Sequence, residues 1–275
     1  MIYQGNSKIK GIYFGGQKIK GIYFGGQKVY SSAPVCLPEV EAFMRAGGLD
    51  QSYAAPLDAL VKGLKDAYIW DLMTAIYPMV GNSFDALKLN LKGDSNYDLS
   101  VWGGTPTMGL NSITATGILD TNIYGGEISS FSDLSISILS ITNSHSPAPD
   151  ICSFDYDMYG DDFDRIYMSV GNYGYFVGEM YSYFEAIELY TGNSTGFYTT
   201  SRTSSDDVRA YRNGVLIGSN SEDWGTRFDF NILIGGANMY DLTERTYTFS
   251  CIGCGLNASE SAELYRLVNT FRNSL

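Results

Sequence analysis

The sequence predicts a mainly β chain: a β-sandwich or jelly roll, preceded by a repetitive β arm and a short helical neck and closed by a C-terminal helix. Three observations predict it. Tandem ten-residue units fill the first 31 positions. From about residue 84, short segments of alternating apolar and polar residues recur, with turn residues roughly every 8–12 positions. One capped, amphipathic stretch ends the chain. The composition agrees. Gly (31), Tyr (22) and Phe (14) are abundant and only 17% of residues are charged, which suits strands joined by many turns. The 275 residues allow one large β domain or two smaller units, and 44% hydrophobic content excludes a wholly disordered chain.

The arm comes first. Residues 2–11 read IYQGNSKIKG, 12–21 read IYFGGQKIKG and 22–31 read IYFGGQKVYS. Each unit carries an Ile-Tyr pair, a Gly two residues later, then Lys and a β-branched residue. The Gly-Gly pairs at 15–16 and 25–26 are tight-turn signals between strands of about three to five residues. Such a hairpin is marginal alone in water, so the arm is expected to be buried against another surface.

Pro34 and Pro38 mark a linker, and Pro38 opens a helix expected to run to Ala46 and stop at Gly47–Gly48. Leu57, Leu60, Val61 and Leu64 fall at helical spacing after Pro56. Ile69–Tyr77 reads as a third helix ending before Pro78. From residue 84 the period changes to two: Leu87, Leu89 and Leu91 alternate with Lys88, Asn90 and Lys92. Tyr97–Trp102, Ile113–Thr116, Ser135–Asn143 and Arg165–Val170 continue the strand pattern. So do Tyr173–Met180, Ser182–Tyr190, Gly196–Ser201, Val208–Arg212, Val215–Ser219 and the segments 228–234 and 245–252. Asn213–Gly214 predicts a type I′ hairpin. Asn257 with Glu260 forms a capping box, and Leu264, Leu267, Val268 and Phe271 make one apolar stripe expected to seal an edge or open end of the sandwich. The predicted organisation is an arm at 1–31, a linker and helical neck for oligomerisation at 32–80, and the sandwich at 81–275.

Charge separates the two ends. The whole chain has 18 Lys+Arg and 30 Asp+Glu, a net of −12. The arm holds five lysines (Lys8, Lys10, Lys18, Lys20, Lys28) and no acid, so the rest carries 13 bases against 30 acids, a net of −17. An acidic body argues against nucleic-acid binding. No stretch approaches the roughly 20 apolar residues of a membrane span, and no secretory signal is apparent. The basic arm suits docking on an acidic protein surface.

Chemistry-bearing motifs are sparse. Cys251 and Cys254 form a CxxC, but a structural zinc site needs four ligands; His145 is the sole histidine and there is no second CxxC. Two core thiols at a strand end are expected. Asp155, Asp157 and Asp161 head an acidic run, with Asp162 and Asp164, that offers oxygen ligands for a cation such as calcium, although the EF-hand pattern fails at Tyr159 and Ile166. No other cofactor is expected. Glu185 and Glu188 stand three apart and so face opposite sides of a strand, which is not the paired-carboxylate geometry of a glycosidase. His145 lies in the loop NSHSPAP without a nucleophile elbow. The chain is therefore expected not to be an enzyme. Tyr159, Tyr167, Tyr173, Tyr175, Phe176, Tyr181, Tyr183, Phe184 and Tyr190 form a dense aromatic tract, which fits sugar stacking and a packed sandwich alike. Trp102 and Trp224 read as core anchors.

Several stretches resemble a known group. AYIWDLMTAIYPMVG (67–81), ALKLNLKG (86–93), ILDTNI (118–123), RNGVLIG (212–218), NILIGGAN (231–238) and CIGCGLNASESAELYRLVNTF (251–271) are similar, in that order, to virion fibre and tail proteins of Bacteroidetes-infecting, crAss-like tailed phages. The resemblance implies a concanavalin A-like (laminin G-like) sandwich and a structural virion protein: a head or tail fibre or capsid decoration, located in the virion and made in the bacterial cytoplasm. It supplies no catalytic residue. The expected partners are phage capsid or tail proteins and further copies of the chain as a homotrimer or dimer. Ile2, Tyr3, Lys8, Ile12, Tyr13, Phe14, Lys18, Ile22, Tyr23, Phe24 and Lys28 would make the attachment contacts. The alternative is a host-surface glycan-binding adhesin, in which the sandwich binds receptor sugars.

Overall fold

The computed structural model describes residues 36–124, 133–153, 166–180, 186–221, 230–238 and 241–275, together with the backbone of six short strands within the first 31 residues. The chain forms two compact units, Met1–Leu37 and Pro38–Leu275. In the first, β1 (Tyr3–Gln4) pairs with β2 (Ser7–Lys8), β3 (Tyr13–Phe14) with β4 (Gln17–Lys18), and β5 (Gly21–Phe24) with β6 (Gln27–Ser31), all antiparallel. Each sequence repeat is thus one hairpin. The register is common to all three: Tyr3 opposes Lys8, Tyr13 opposes Lys18 and Tyr23 opposes Lys28. The Gly-Gly pairs lie outside the described residues.

The second unit begins with α1 (Pro38–Ala46) and α2 (Ala54–Asp66), then β7 (Met73–Tyr77) and α3 (Phe84–Leu87). The strands β8 (Ser100–Gly104), β9 (Thr107–Gly109), β10 (Ser112–Thr114), β11 (Gly117–Tyr124), β12 (Leu134–Ser140) and β13 (Ile151–Ser153) follow. Next come β14 (Ile166–Asn172), β15 (Tyr175–Met180), β16 (Ile187–Tyr190), β17 (Gly196–Ser204), β18 (Asp207–Arg212) and β19 (Val215–Asn220). The chain closes with β20 (Asn231–Ile234), β21 (Gly236–Asn238), β22 (Asp241–Leu242), β23 (Thr246–Gly253) and α4 (Ala258–Asn273).

Two antiparallel sheets make the sandwich. One runs β19-β18-β17-β12-β23-β10-β9, with β7 also paired to β23; the other runs β16-β15-β14-β13-β20-β11-β8. Between them lies a core that includes Ile136, Ile138, Met168, Val170, Phe176, Tyr198, Ile234 and Tyr247, all fully buried. The central strands β12, β17 and β23 are buried along nearly their whole length rather than at every second residue. Edges β16 and β19 bound one side and β8 and β9 the other. The expected hairpin at Asn213–Gly214 is present, with φ of +51° and +73°.

Helices form a third layer. The α4 stripe of Leu264, Leu267, Val268 and Phe271 is buried, and the capping box is made as expected: Asn257 Oδ1 accepts from Ser259 and Glu260 N–H while Glu260 Oε2 accepts from Asn257 N–H. The Tyr265 ring stacks 6.3 Å from Phe197, which meets Phe249 at 6.2 Å. Those phenylalanines belong to β17 and β23, inside the sheet, so α4 covers a sheet face rather than an edge. Helix α2 buries Leu57, Leu60, Val61 and Leu64, the four residues its spacing singled out.

Two local expectations are corrected. Ile69–Tyr77 is not a helix: a 3-10 turn (Trp70–Leu72) leads into strand β7, whose Ala75, Ile76 and Tyr77 pair with Ile252, Cys251 and Ser250. Sheet pairing and full burial of these residues outweigh the helical spacing. The alternation Leu87–Leu89–Leu91 is not a strand either. Ser83 caps helix α3, Leu87 and Leu91 are buried from a helix and a turn, and the Asn90 side chain accepts Ile76 N–H at 3.0 Å.

The closing motif CIGCGL is explained by close approach. A Cβ on Gly253 would lie 2.3 Å from Leu72 O and 2.6 Å from Met73 Cα, and one on Gly255 would lie 2.0 Å from Arg202 O. Only glycine lets these backbones meet. Among the described residues no helix is long and apolar enough to cross a membrane.

Candidate functional site

The β14–β15 hairpin turns through Tyr173 and Gly174, with φ of +49° and +91°. Gly174 accepts this without strain, whereas an aromatic residue rarely sits in the left-handed region. Tyr173 does so with its side chain 73% exposed. Beside it, Asn172 Oδ1 is buried without a hydrogen-bond donor. Gly174 O accepts from Thr191 N–H at 2.9 Å and Gly192 N–H at 3.0 Å, which ties the end of β16 to the turn. A side chain at Gly174 would press on Tyr190 Cε2 (3.1 Å) and His145 Nδ1 (3.3 Å), so the turn, the tyrosine and the imidazole converge.

Tyr175 stands opposite Tyr190 in the β15–β16 register. Their rings meet edge to face, 5.2 Å apart at 68°. Both are exposed, at 45% and 66%. The loop carrying His145 is held from beneath: Arg245 Nη2 donates to Ser144 O and Ser146 O, Tyr167 Oη to Pro147 O, Ser169 Oγ to Ala148 O, and Ser144 N–H to Ser194 Oγ. The result is an open platform of three phenols and one imidazole at one end of the sandwich. It can stack on C–H faces and exchange hydroxyl hydrogen bonds. Nothing among the described residues there pairs two carboxylates or aligns a nucleophile with a base.

The aromatic tract thus divides. Phe176 is core, stacked on Tyr198 at 5.6 Å, and Tyr167 is partly buried, while Tyr173, Tyr175 and Tyr190 form the platform. Tyr159, Tyr181, Tyr183 and Phe184 lie outside the described residues. Trp102 is not a core anchor: it sits on edge strand β8 with 55% exposure, because both faces of the edge stay open there. Trp224 and Glu185 lie outside the described residues, and Glu188 is exposed. Asp155, Asp157, Asp161 and the rest of that acidic run also lie outside them. Among the described residues no group of three or more His, Cys, Asp or Glu could hold a metal.

In the arm, Tyr3, Lys8, Tyr13, Phe14, Lys18, Ile22, Tyr23, Phe24 and Lys28 occupy strands, and Ile2 and Ile12 lie outside the described residues. Cys251, buried in β23, and Cys254, half-buried just beyond it, form no disulfide, so only Cys251 is the core thiol the sequence suggested. Burial pushes the Cys251 thiol up to about 12, so it is neither a nucleophile nor a ready ligand near neutrality.

No family model matches the chain. No curated protein matches it by sequence. Solved structures match by fold. Trypanosoma rangeli sialidase in complex with sialic acid aligns over 71% of this chain and 33% of its own, at 12% identity and a TM-score of 0.51. A botulinum neurotoxin type C structure, described with cell entry dependent on two ganglioside molecules, aligns over 74% and 53%, at 15% identity and 0.52. The receptor binding domain of botulinum neurotoxin D aligns over 72% and 53%, at 17% identity and 0.50. The body is an antiparallel β-sandwich. This sandwich spans about half the length of the toxin chains and a third of the sialidase chain, and at these identities the likeness is one of fold.

Proposed function

We propose that this chain is a non-catalytic glycan-binding module whose sandwich recognises sugars through the platform of Tyr173, Tyr175 and Tyr190. One observation carries the reading: the exposed Tyr175 and Tyr190 rings meet edge to face at 5.2 Å beside the turn of exposed Tyr173 and the exposed His145. Exposed aromatic faces beside hydroxyl and imidazole groups are what a pyranose ring uses. The test is a glycan array probed with the full chain and with the Tyr173→Ala/Tyr190→Ala double variant. The chain binds at least one surface glycan, and the double variant loses at least tenfold in affinity. Equal binding by both proteins refutes the platform.

The finer reading is a module displayed on a virion as a homo-oligomer. Its support is the sequence resemblance, the charge asymmetry, and three hairpins of identical register that are too small to be stable singly. The arm's lysines would steer it to an acidic particle surface, and repeated copies would raise weak sugar contacts to useful avidity. Deleting residues 1–31 abolishes incorporation into particles on this reading, and Lys8, Lys18 and Lys28 crosslink to the docking protein. Normal incorporation of the truncated chain refutes it.

A further inference from the structure

The two sides of the sandwich end differently. At β16 and β19 the sheets close on each other: a Cβ on Gly218 would lie 2.4 Å from Ile187 Cγ2. At β8 and β9 the core reaches water instead. Val101 opposes the fully buried Leu119, and Met108 opposes the fully buried Ile113. Cross-strand partners share a face of their sheet, so Val101 and Met108 stand on the core side of the two edge strands. Trp102 is the unpaired residue of a bulge between Val101 and Gly103. Leu110 sits in the turn that follows β9. All four side chains are between 41% and 71% exposed.

This side is held in place. Asn111 Oδ1 accepts from Gly81 N–H at 2.8 Å and from Tyr53 Oη at 3.0 Å, and Asn111 N–H donates to Gly81 O at 2.7 Å, which fixes the turn carrying Leu110. Thr105 N–H donates to Thr116 O at 3.3 Å and Thr116 Oγ1 donates to Thr105 O at 2.8 Å, which fixes the passage from β8 to β9. An ordered cluster of Trp, Met and aliphatic side chains without charge has the composition of an interface centre.

Charge decides what can cover it. Between Asp98 and Asp120 the chain has no charged residue, its longest uncharged run, and both edge strands lie within that run. A chain of net charge −12 repels its own copies wherever acidic surface meets acidic surface. An uncharged edge is where two copies can approach without that cost. The arm, with its five lysines, is the poorer occupant, because β8 and β9 offer it no carboxylate.

We propose that a second copy of this chain covers the β8–β9 side, packing Val101, Trp102, Met108 and Leu110 against the same residues across a two-fold axis. The bulge at Trp102 interrupts the ladder, so side chains rather than a continued sheet make the contact. This deepens the homo-oligomer reading above by naming its interface, and it is independent of sugar binding. Strands β8 and β16 end the same sheet on opposite sides, so the pairing leaves the tyrosine platform of each copy open. Two platforms on one particle would then bind a glycan-bearing surface together.

The test is sedimentation velocity of the full chain over a range of concentrations, with hydroxyl-radical footprinting of the same samples. Trp102→Lys is the variant, and an unchanged far-UV circular dichroism spectrum shows that it folds; footprinting of the parent needs no variant. The parent is expected to form a dimer that dissociates on dilution, oxidation of Trp102 and Met108 is expected to fall in the dimer, and Trp102→Lys raises the dissociation constant about tenfold or more. If the oligomer forms while Trp102 and Met108 stay as reactive as in the monomer, or if Trp102→Lys associates as the parent does, the interface lies elsewhere and only this inference fails. If the parent is a monomer at every concentration, the homo-oligomer reading fails with it.

Discussion

Arg245 Nη1 donates to Asp150 Oδ2 at 2.7 Å, and neither side chain touches solvent. The two residues stand 95 positions apart in the chain. Asp150 also accepts from Val170 N–H and from the Tyr247 hydroxyl, and Tyr247 in turn bonds Thr243. Arg245 continues to the carbonyls of Ser144 and Ser146. One ionic cluster therefore joins β14, the start of β23 and the loop that presents His145 to the platform.

Removing one member leaves the other charged and buried. Arg245→Ala is expected to cost about 3–5 kcal/mol. Replacing both, as Arg245→Met with Asp150→Leu, removes the unpaired charge but should not restore the parent stability, because Val170 N–H and the carbonyls of Ser144 and Ser146 lose their partners. Urea unfolding of the two variants measures this; a double variant as stable as the parent would contradict it.

Tyr173 holds strain that glycine would release. Tyr173→Gly is expected to raise stability by about 1 kcal/mol, the usual cost of the left-handed region for a residue with a Cβ. The same change should weaken glycan binding at least tenfold. Thermal melts and binding isotherms on one preparation give both numbers, and a loss of stability would show that Tyr173 serves packing instead.

Gly253→Ala forces a methyl into the backbone of Leu72 and Met73, neither of which is a side-chain end that can rotate away. A destabilisation at the upper end of overpacking, about 3 kcal/mol or more, is expected. Hydrogen exchange should show faster opening at β7 than at β14. Uniform exchange across both sheets would place the strain elsewhere.

Stability should fall in alkali. Burial raises the Cys251 thiol from 9.0 to about 12 and keeps the Tyr77 and Tyr247 phenols well above their ordinary value. The unfolded chain releases these protons first, so the folded state holds more protons, and the stabilisation present below about pH 9 is lost as pH rises towards 12. Each such group contributes a slope of about 1.4 kcal/mol per pH unit. Cys251→Ala should flatten the stability profile just above pH 9 by up to one proton; an unchanged slope would mean the thiol ionises equally in both states.

Legibility varied with the range of the forces involved. Asn257–Glu260 capping, the Asn213–Gly214 turn and the α2 and α4 stripes were readable because each depends on neighbours within a turn of chain. Met73–Tyr77 misled because its fate rests on Ser250–Gly253, far along the chain. Trp102 misled for the same reason: an edge strand and a central strand carry the same local pattern. The platform was half legible. The aromatic tract named Tyr173, Tyr175 and Tyr190, but which tyrosines stay outside depends on strand order.

By itself the sequence determined a mainly β chain with a basic, repeated arm, an acidic body and a capped final helix, since period, turn residues and charge act locally or by sum. Only the tertiary structure decided which strands became edges, which aromatic rings met water, and that Asp150 and Arg245 should pair without solvent. Those outcomes depend on long-range pairing and burial, and burial is a property of the assembled sheets that no single segment carries.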